Sequence, residues 1–128
     1  YLDALRWVQS VGGLAGTMSR SQKNLQVMEN FVASRDWIDF LAADESIRSN
    51  TSVCFRLKLE DDQVKQLINL LGTEQVAHDI GAYRDAPAGL RIWCGATIES
   101  SDLEALLPWL DWAYAEGNRV RPLSEMAL

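Results

Sequence analysis

Histidine is nearly absent: the single one is His78 in 128 residues. Cysteine is limited to Cys54 and Cys94, and neither belongs to a CxxC pair. A zinc site needs four clustered nitrogen or sulfur ligands, so a structural zinc domain is excluded. Two cysteines in a chain of this size do not imply a disulfide framework. Each lies in an apolar, strand-like run, and both are expected to be reduced core thiols. No apolar stretch approaches the roughly 18 residues of a membrane helix. No signal peptide is visible, and Tyr1 rather than methionine opens the chain, as expected of a fragment. Positive charge is also scarce. The net charge is −6, which disfavours a nucleic-acid surface and an anionic membrane alike.

What positive charge there is comes mostly as arginine, nine against the three lysines Lys23, Lys58 and Lys65. Arginine is the better planar reader of carboxylate and phosphate. A cofactor-carrying lysine needs a desolvated pocket or a cationic neighbour, and none of the three has such a local context. His78 stands beside Asp79, but no nucleophile motif such as GxSxG accompanies the pair. The acidic residues show no metal-loop spacing. Gly12-Gly13-Leu14-Ala15-Gly16 follows no strand and is not a dinucleotide fingerprint.

Five tryptophans supply large packing anchors. Leu2, Leu5 and Val8 follow helical spacing up to Gly12-Gly13. Ser19 or Ser21 is expected to start a second helix, with Leu25, Met28, Phe31 and Val32 on one stripe. Trp37, Phe40 and Leu41 fall in a less regular stretch. Val53, Phe55, Leu57 and Leu59 then alternate with Cys54, Arg56 and Lys58, the period of a strand. Asp61-Asp62 is expected to cap a helix bearing Val64, Leu67, Ile68 and Leu71, which stops at Gly72. Residues Val76 to Tyr83 read as a strand interrupted by Gly81, and Leu90 to Thr97 as another beyond a turn at 85–89. Ser101 with Glu104 reads as a capping box for a last helix ending at Gly117, with Pro108 expected to bend or break it.

These elements predict an α/β fold of the α+β type: a small, mainly antiparallel sheet of three to four strands with helices on one face. One domain accommodates the length. Arg84 and Arg91 flank the turn containing Pro87 and Gly89. A hairpin there would bring both guanidinium groups to one end of the sheet, where two forks suit a small dianion.

Five phrases carry a resemblance: S-V-G-G-L at 10–14, D-W-I-D-F-L-A at 36–42, R-S-N-T-S-V-C-F at 48–55, D-I-G-A-Y-R-D-A-P at 79–87 and P-W-L-D-W-A at 108–113. Together with G-L-R-I-W-C-G-A-T at 89–97, they are similar to the C-terminal small domain of the phosphoserine aminotransferases, class V, fold-type I pyridoxal-phosphate enzymes, and more narrowly to those of alphaproteobacterial type. The likeness covers residues 1 to 116. It implies a helix and linker at 1–18 from the large-domain junction and a small domain at 19–117; the polar tail at 118–128, with Arg119, Arg121 and Pro122, lies beyond the likeness and is expected to be mobile or to pack against another surface. It implies an enzyme of serine biosynthesis, with pyridoxine biosynthesis a further role, that moves an amino group between glutamate and 3-phosphohydroxypyruvate to give 2-oxoglutarate and phosphoserine. Such enzymes are cytoplasmic homodimers. By position Arg91 matches the arginine for the substrate α-carboxylate, and Arg84 one near the substrate phosphate. Tyr83 stands where many members have histidine, and the turn to Arg91 is one residue longer.

The cofactor lysine of such enzymes belongs to the large domain. The resemblance therefore implies no catalytic residue, no bound pyridoxal phosphate and no transaminase activity for this chain alone. Trp7, Leu14 and Met18 are expected to lie on a face that the large domain would cover. The competing expectation is a stand-alone amino-acid-binding or regulatory α/β module without catalysis. Neither reading involves nucleic acid, membrane or metal.

Overall fold

The computed structural model describes residues 1–119. In chain order the elements are α1 (Leu2–Ser10), α2 (Gly13–Ala33), β1 (Ile38–Phe40), a 3-10 turn (Glu45–Ile47), β2 (Ser52–Leu57), α3 (Asp61–Thr73), β3 (Gly89–Trp93) and α4 (Ser100–Arg119). The tail expected to be mobile lies, beyond Arg119, outside the described residues.

The sheet is three-stranded and antiparallel, in the order β1-β2-β3. Its register explains its two faces. Phe55 pairs with Phe40 on one side and Leu90 on the other, Leu57 with Ile38, and Val53 with Ile92. Since side chains alternate along a strand, these apolar residues share one face. They meet Leu25, Met28 and Phe31 of α2, Val64, Leu67 and Leu71 of α3, and Leu103 and Leu110 of α4 in a single core. The other face carries Asp39, Arg56, Cys54, Arg91, Ser52 and Trp93, none of them buried. Helices on one face leave the other open, as the α+β expectation required.

Aromatic packing closes one end of this core. Trp37 stacks on Tyr114 of α4 at 4.2 Å and meets Phe31 of α2 edge-on at 5.9 Å. Such pairs contribute about 0.5–1.5 kcal/mol beyond the area they bury. At the other end, Asn24 of α2 is 1% exposed. Its amide donates towards the carbonyls of Cys94, Gly95 and Ile98, while its oxygen accepts from the Ser100 hydroxyl. Arg20 adds bonds to the Ala96 carbonyl and the Glu99 carboxylate. One turn of α2 thus fastens the whole link between β3 and α4.

Several sequence expectations need correction. α2 starts at Gly13, not at Ser19 or Ser21. Gly12 takes φ +103°, a value L side chains rarely adopt, and lets the chain turn sharply into α2. Gly16 lies against the Val11 carbonyl, where a Cβ would collide, so the short turn depends on its missing side chain. α2 then runs without a break from Gly13 to Ala33. The strand expected over 76–83 is absent: Gln75 and Asp79 have φ +58° and +54°, which break any extended run. Only Gly81 bridges Leu90. α3 is capped by Glu60, in a reciprocal box with Gln63, rather than by Asp61-Asp62, and it continues past Gly72. α4 runs through Pro108 without a break and past Gly117.

The cysteines separate as well. Cys94 is buried and Cys54 is not, so only one is a core thiol. Burial pushes the Cys94 thiol up to about 12, which keeps it protonated and unreactive.

Candidate functional site

The open face of the sheet gathers the sequence-predicted residues unevenly. β3 places Arg91 directly opposite Cys54 of β2, on the face without helices. Its backbone N–H donates to the Ile80 carbonyl at 2.8 Å, which draws the 79–83 segment alongside β3. That single anchor is what replaces the expected hairpin strand.

The segment delivers two side chains to Arg91. The Tyr83 ring lies against the guanidinium, with 4.9 Å between the ring centroid and Cζ. The Tyr83 hydroxyl shares a 2.8 Å hydrogen bond with the Ser52 hydroxyl of β2, which fixes the ring over the face. A cation on an aromatic face is held electrostatically, so the ring holds one face of the guanidinium. Asp79 reaches one edge: Nη2 of Arg91 lies 3.3 Å from its carboxylate and donates to its backbone carbonyl at 3.2 Å.

Arg84 is not joined to this group. It sits inside the turn in which the Ala86 N–H donates to the Tyr83 carbonyl. It is exposed and makes no side-chain hydrogen bond or ion pair among the described residues. Arg91 and Tyr83 are thus brought together, while Arg84 stands one residue away on a surface turn. His78 is exposed and forms no bond to Asp79 among the described residues, in keeping with the absence of a nucleophile motif beside the pair. Sequence reasoning missed Ser52 as the tether of Tyr83 and Asp79 as the partner of Arg91. Both had a signal only in their place within quoted phrases, Ser52 in R-S-N-T-S-V-C-F and Asp79 in D-I-G-A-Y-R-D-A-P.

The residues present do not fit pyridoxal phosphate. Lys23, Lys58 and Lys65 are all exposed, without the desolvation a cofactor-carrying lysine requires. Among the described residues no group of three potential metal ligands is found, and no helix is long and apolar enough to cross a membrane. What the site offers chemically is a half-buried guanidinium with a ring on one face and a single contact to a carboxylate.

No protein-family model matches the chain. The chain is 56% identical over 114 residues to a phosphoserine aminotransferase of Methanosarcina mazei and 55% identical to that of Methanosarcina barkeri. In each case 89% of this chain aligns with 31% of the relative, so the chain spans about a third of the length of these curated relatives. Among solved structures, a phosphoserine aminotransferase from Bacillus circulans subsp. alkalophilus superposes with a TM-score of 0.77 at 19% identity, over 88% of this chain and 30% of that one. A phosphoserine aminotransferase studied for radiation damage of its Schiff base gives 0.74 at 18% identity, over 88% of this chain and 31% of that one. At such identities the likeness establishes the fold. The narrower alphaproteobacterial type is not supported, because the matching curated sequences are archaeal. The chain is homologous to the C-terminal region of phosphoserine aminotransferases, over about a third of their length.

Proposed function

We propose that this chain serves as the substrate-positioning small domain of a phosphoserine aminotransferase, residues 19–117 forming the domain and 1–18 its junction. The reaction is transfer of an amino group from glutamate to 3-phosphohydroxypyruvate, in serine biosynthesis, with a related phosphorylated four-carbon substrate of pyridoxine biosynthesis as a second target. In this reading the enzyme is a cytoplasmic homodimer. The observation that carries the reading is the identity of more than half the residues over 114 positions to the Methanosarcina enzymes.

The roles are those that the family resemblance implies by position, and the chemistry of the side chains suits them. Arg91 takes the substrate α-carboxylate at its open edge. Tyr83 holds the guanidinium plane. Arg84, free on its turn, reaches for the phosphate. When bound, pyridoxal phosphate supplies the electron sink that makes the substrate α-carbon acidic. Since no lysine here suits it, that chemistry belongs to polypeptide outside this chain. The chain alone then neither holds the cofactor nor transaminates.

A chimera tests this. The matching C-terminal third of the Methanosarcina mazei enzyme is replaced by this chain, and phosphoserine-dependent conversion of 2-oxoglutarate to glutamate is followed. The expected result is an active chimera and an inactive isolated chain. Arg91→Lys in the chimera should raise KM for phosphoserine about 10- to 100-fold, the scale of a lost charge-assisted fork. A folded but inactive chimera would defeat the reading. Tight phosphoserine binding by the isolated chain would favour a stand-alone binding module instead.

A further inference from the structure

Among the four arginines that face a carboxylate in the described residues, Arg35 and Arg91 do so differently. Arg35 closes on Asp111 with both arms, Nε at 2.8 Å and Nη2 at 2.7 Å. These are the distances of a complete charge-assisted fork. Arg91 meets Asp79 with one arm only, at 3.3 Å. Its Nε is buried and finds no acceptor among the described residues. Yet the Arg91 side chain is the less exposed of the two, 21% against 33%. The less exposed of the two side chains has the poorer partner. That is the reverse of what a purely structural ion pair requires, because buried donors left unmatched are costly.

Asp79 has the opposite character. Its side chain is 92% exposed, and its backbone stands at φ +54°. Water can take over its carboxylate at little cost, so nothing but Arg91 holds it in place. Tyr83 covers one face of the guanidinium, and Asp79 touches one of its edges weakly.

We infer that Asp79 is an internal stand-in for the carboxylate of an amino-acid-like anion: it holds Arg91 while the edge is free and gives way when such a ligand arrives. The inference rests on the reading of Arg91 as the carboxylate binder and adds a competitor to it. Binding must then break the Arg91–Asp79 contact, and removing the competing charge tightens it.

Asp79→Asn is the informative variant. Asparagine accepts positive φ as readily as aspartate does, so the backbone is kept while the competing charge is lost. The full 128-residue chain, Asp79→Asn and Arg91→Gln are titrated with O-phosphoserine, and the amide resonances of residues 79–91 are followed by NMR. Asp79→Asn should bind about two- to fivefold more tightly than the unaltered chain, the range for an exposed ion pair. Arg91→Gln should abolish saturable shifts, and Arg91→Lys provides the same check should the glutamine variant fold poorly. Equal affinity in Asp79→Asn and the unaltered chain, both lost on changing Arg91, overturns the stand-in and leaves Arg91 as the binder. Binding that survives the loss of Arg91, or none in any variant, overturns the inference together with the role of Arg91 in the isolated chain. The chimera's activity reads the function of the whole separately.

Discussion

At the scale of single residues, Asn24 does more structural work than any other polar side chain described. It is fully buried, and its donors and its acceptor are both used. Asn24→Ala leaves three carbonyls and a hydroxyl to find other partners. We expect a loss of about 2–3 kcal/mol, the cost of unmatched buried polar groups. Ser100→Ala, which removes one bond at the edge of the same cluster, should cost about 1 kcal/mol. Urea denaturation checks both; equal losses in the two variants would show that Asn24 is not the hub. The site residues show how far such detail was legible beforehand. Arg84 and Arg91 stood out as residue types flanking a turn, and Tyr83 only through the family resemblance. That the Tyr83 ring would lie on Arg91, tethered through Ser52, depends on the β2–β3 register and on a 31-residue separation along the chain. No local pattern encodes that.

At the scale of elements, what the sequence revealed follows from what each element needs. β2 declares itself by alternation because one of its faces is buried and the other open. α1 ends where its leucine spacing meets a glycine pair. β1 was not legible: three residues are too short to show a period, and the strand exists by pairing with β2. The 76–83 run misleads for the opposite reason. Its composition suits a strand, but the chain must leave α3 and return to β3, and left-handed turns at Gln75 and Asp79 achieve that. Pro108 was expected to bend or break α4, and the helix continues through it, without a break, on the exposed side. Packing of Leu103, Leu110 and Ala113 into the core outweighs the missing backbone bond. Restoring that bond should therefore help. Pro108→Ala is expected to raise stability by about 1–3 kcal/mol, bounded by the usual cost of an interior helical proline. A lower thermal midpoint for this variant would mean that the proline ring itself contributes to packing.

At the scale of the molecule, the unexplained feature is its N-terminal face. α1 buries none of its residues although its leucines share a helical stripe. Leu2, Leu5, Leu14 and Met18 are all exposed, and Trp7 is held only in part, with the Arg20 guanidinium 5.4 Å from its ring. A nine-residue helix has little stability of its own in water, and contiguous exposed apolar surface usually marks a contact. If the chain is one third of an aminotransferase, the remainder of that enzyme is the natural cover for this face. Two consequences can be separated with one variant, Leu14→Glu combined with Met18→Glu. Alone, the unaltered chain should self-associate as concentration rises, and the double variant should stay monomeric with its unfolding midpoint unchanged. Within the Methanosarcina chimera the same two carboxylates would be driven into an apolar contact, an expensive burial, so stability and activity should both fall. Sedimentation velocity over a range of concentrations reads the first effect, and thermal unfolding of the chimera reads the second. A chain that remains monomeric throughout, in a chimera indifferent to both substitutions, would mean that this face is covered by nothing.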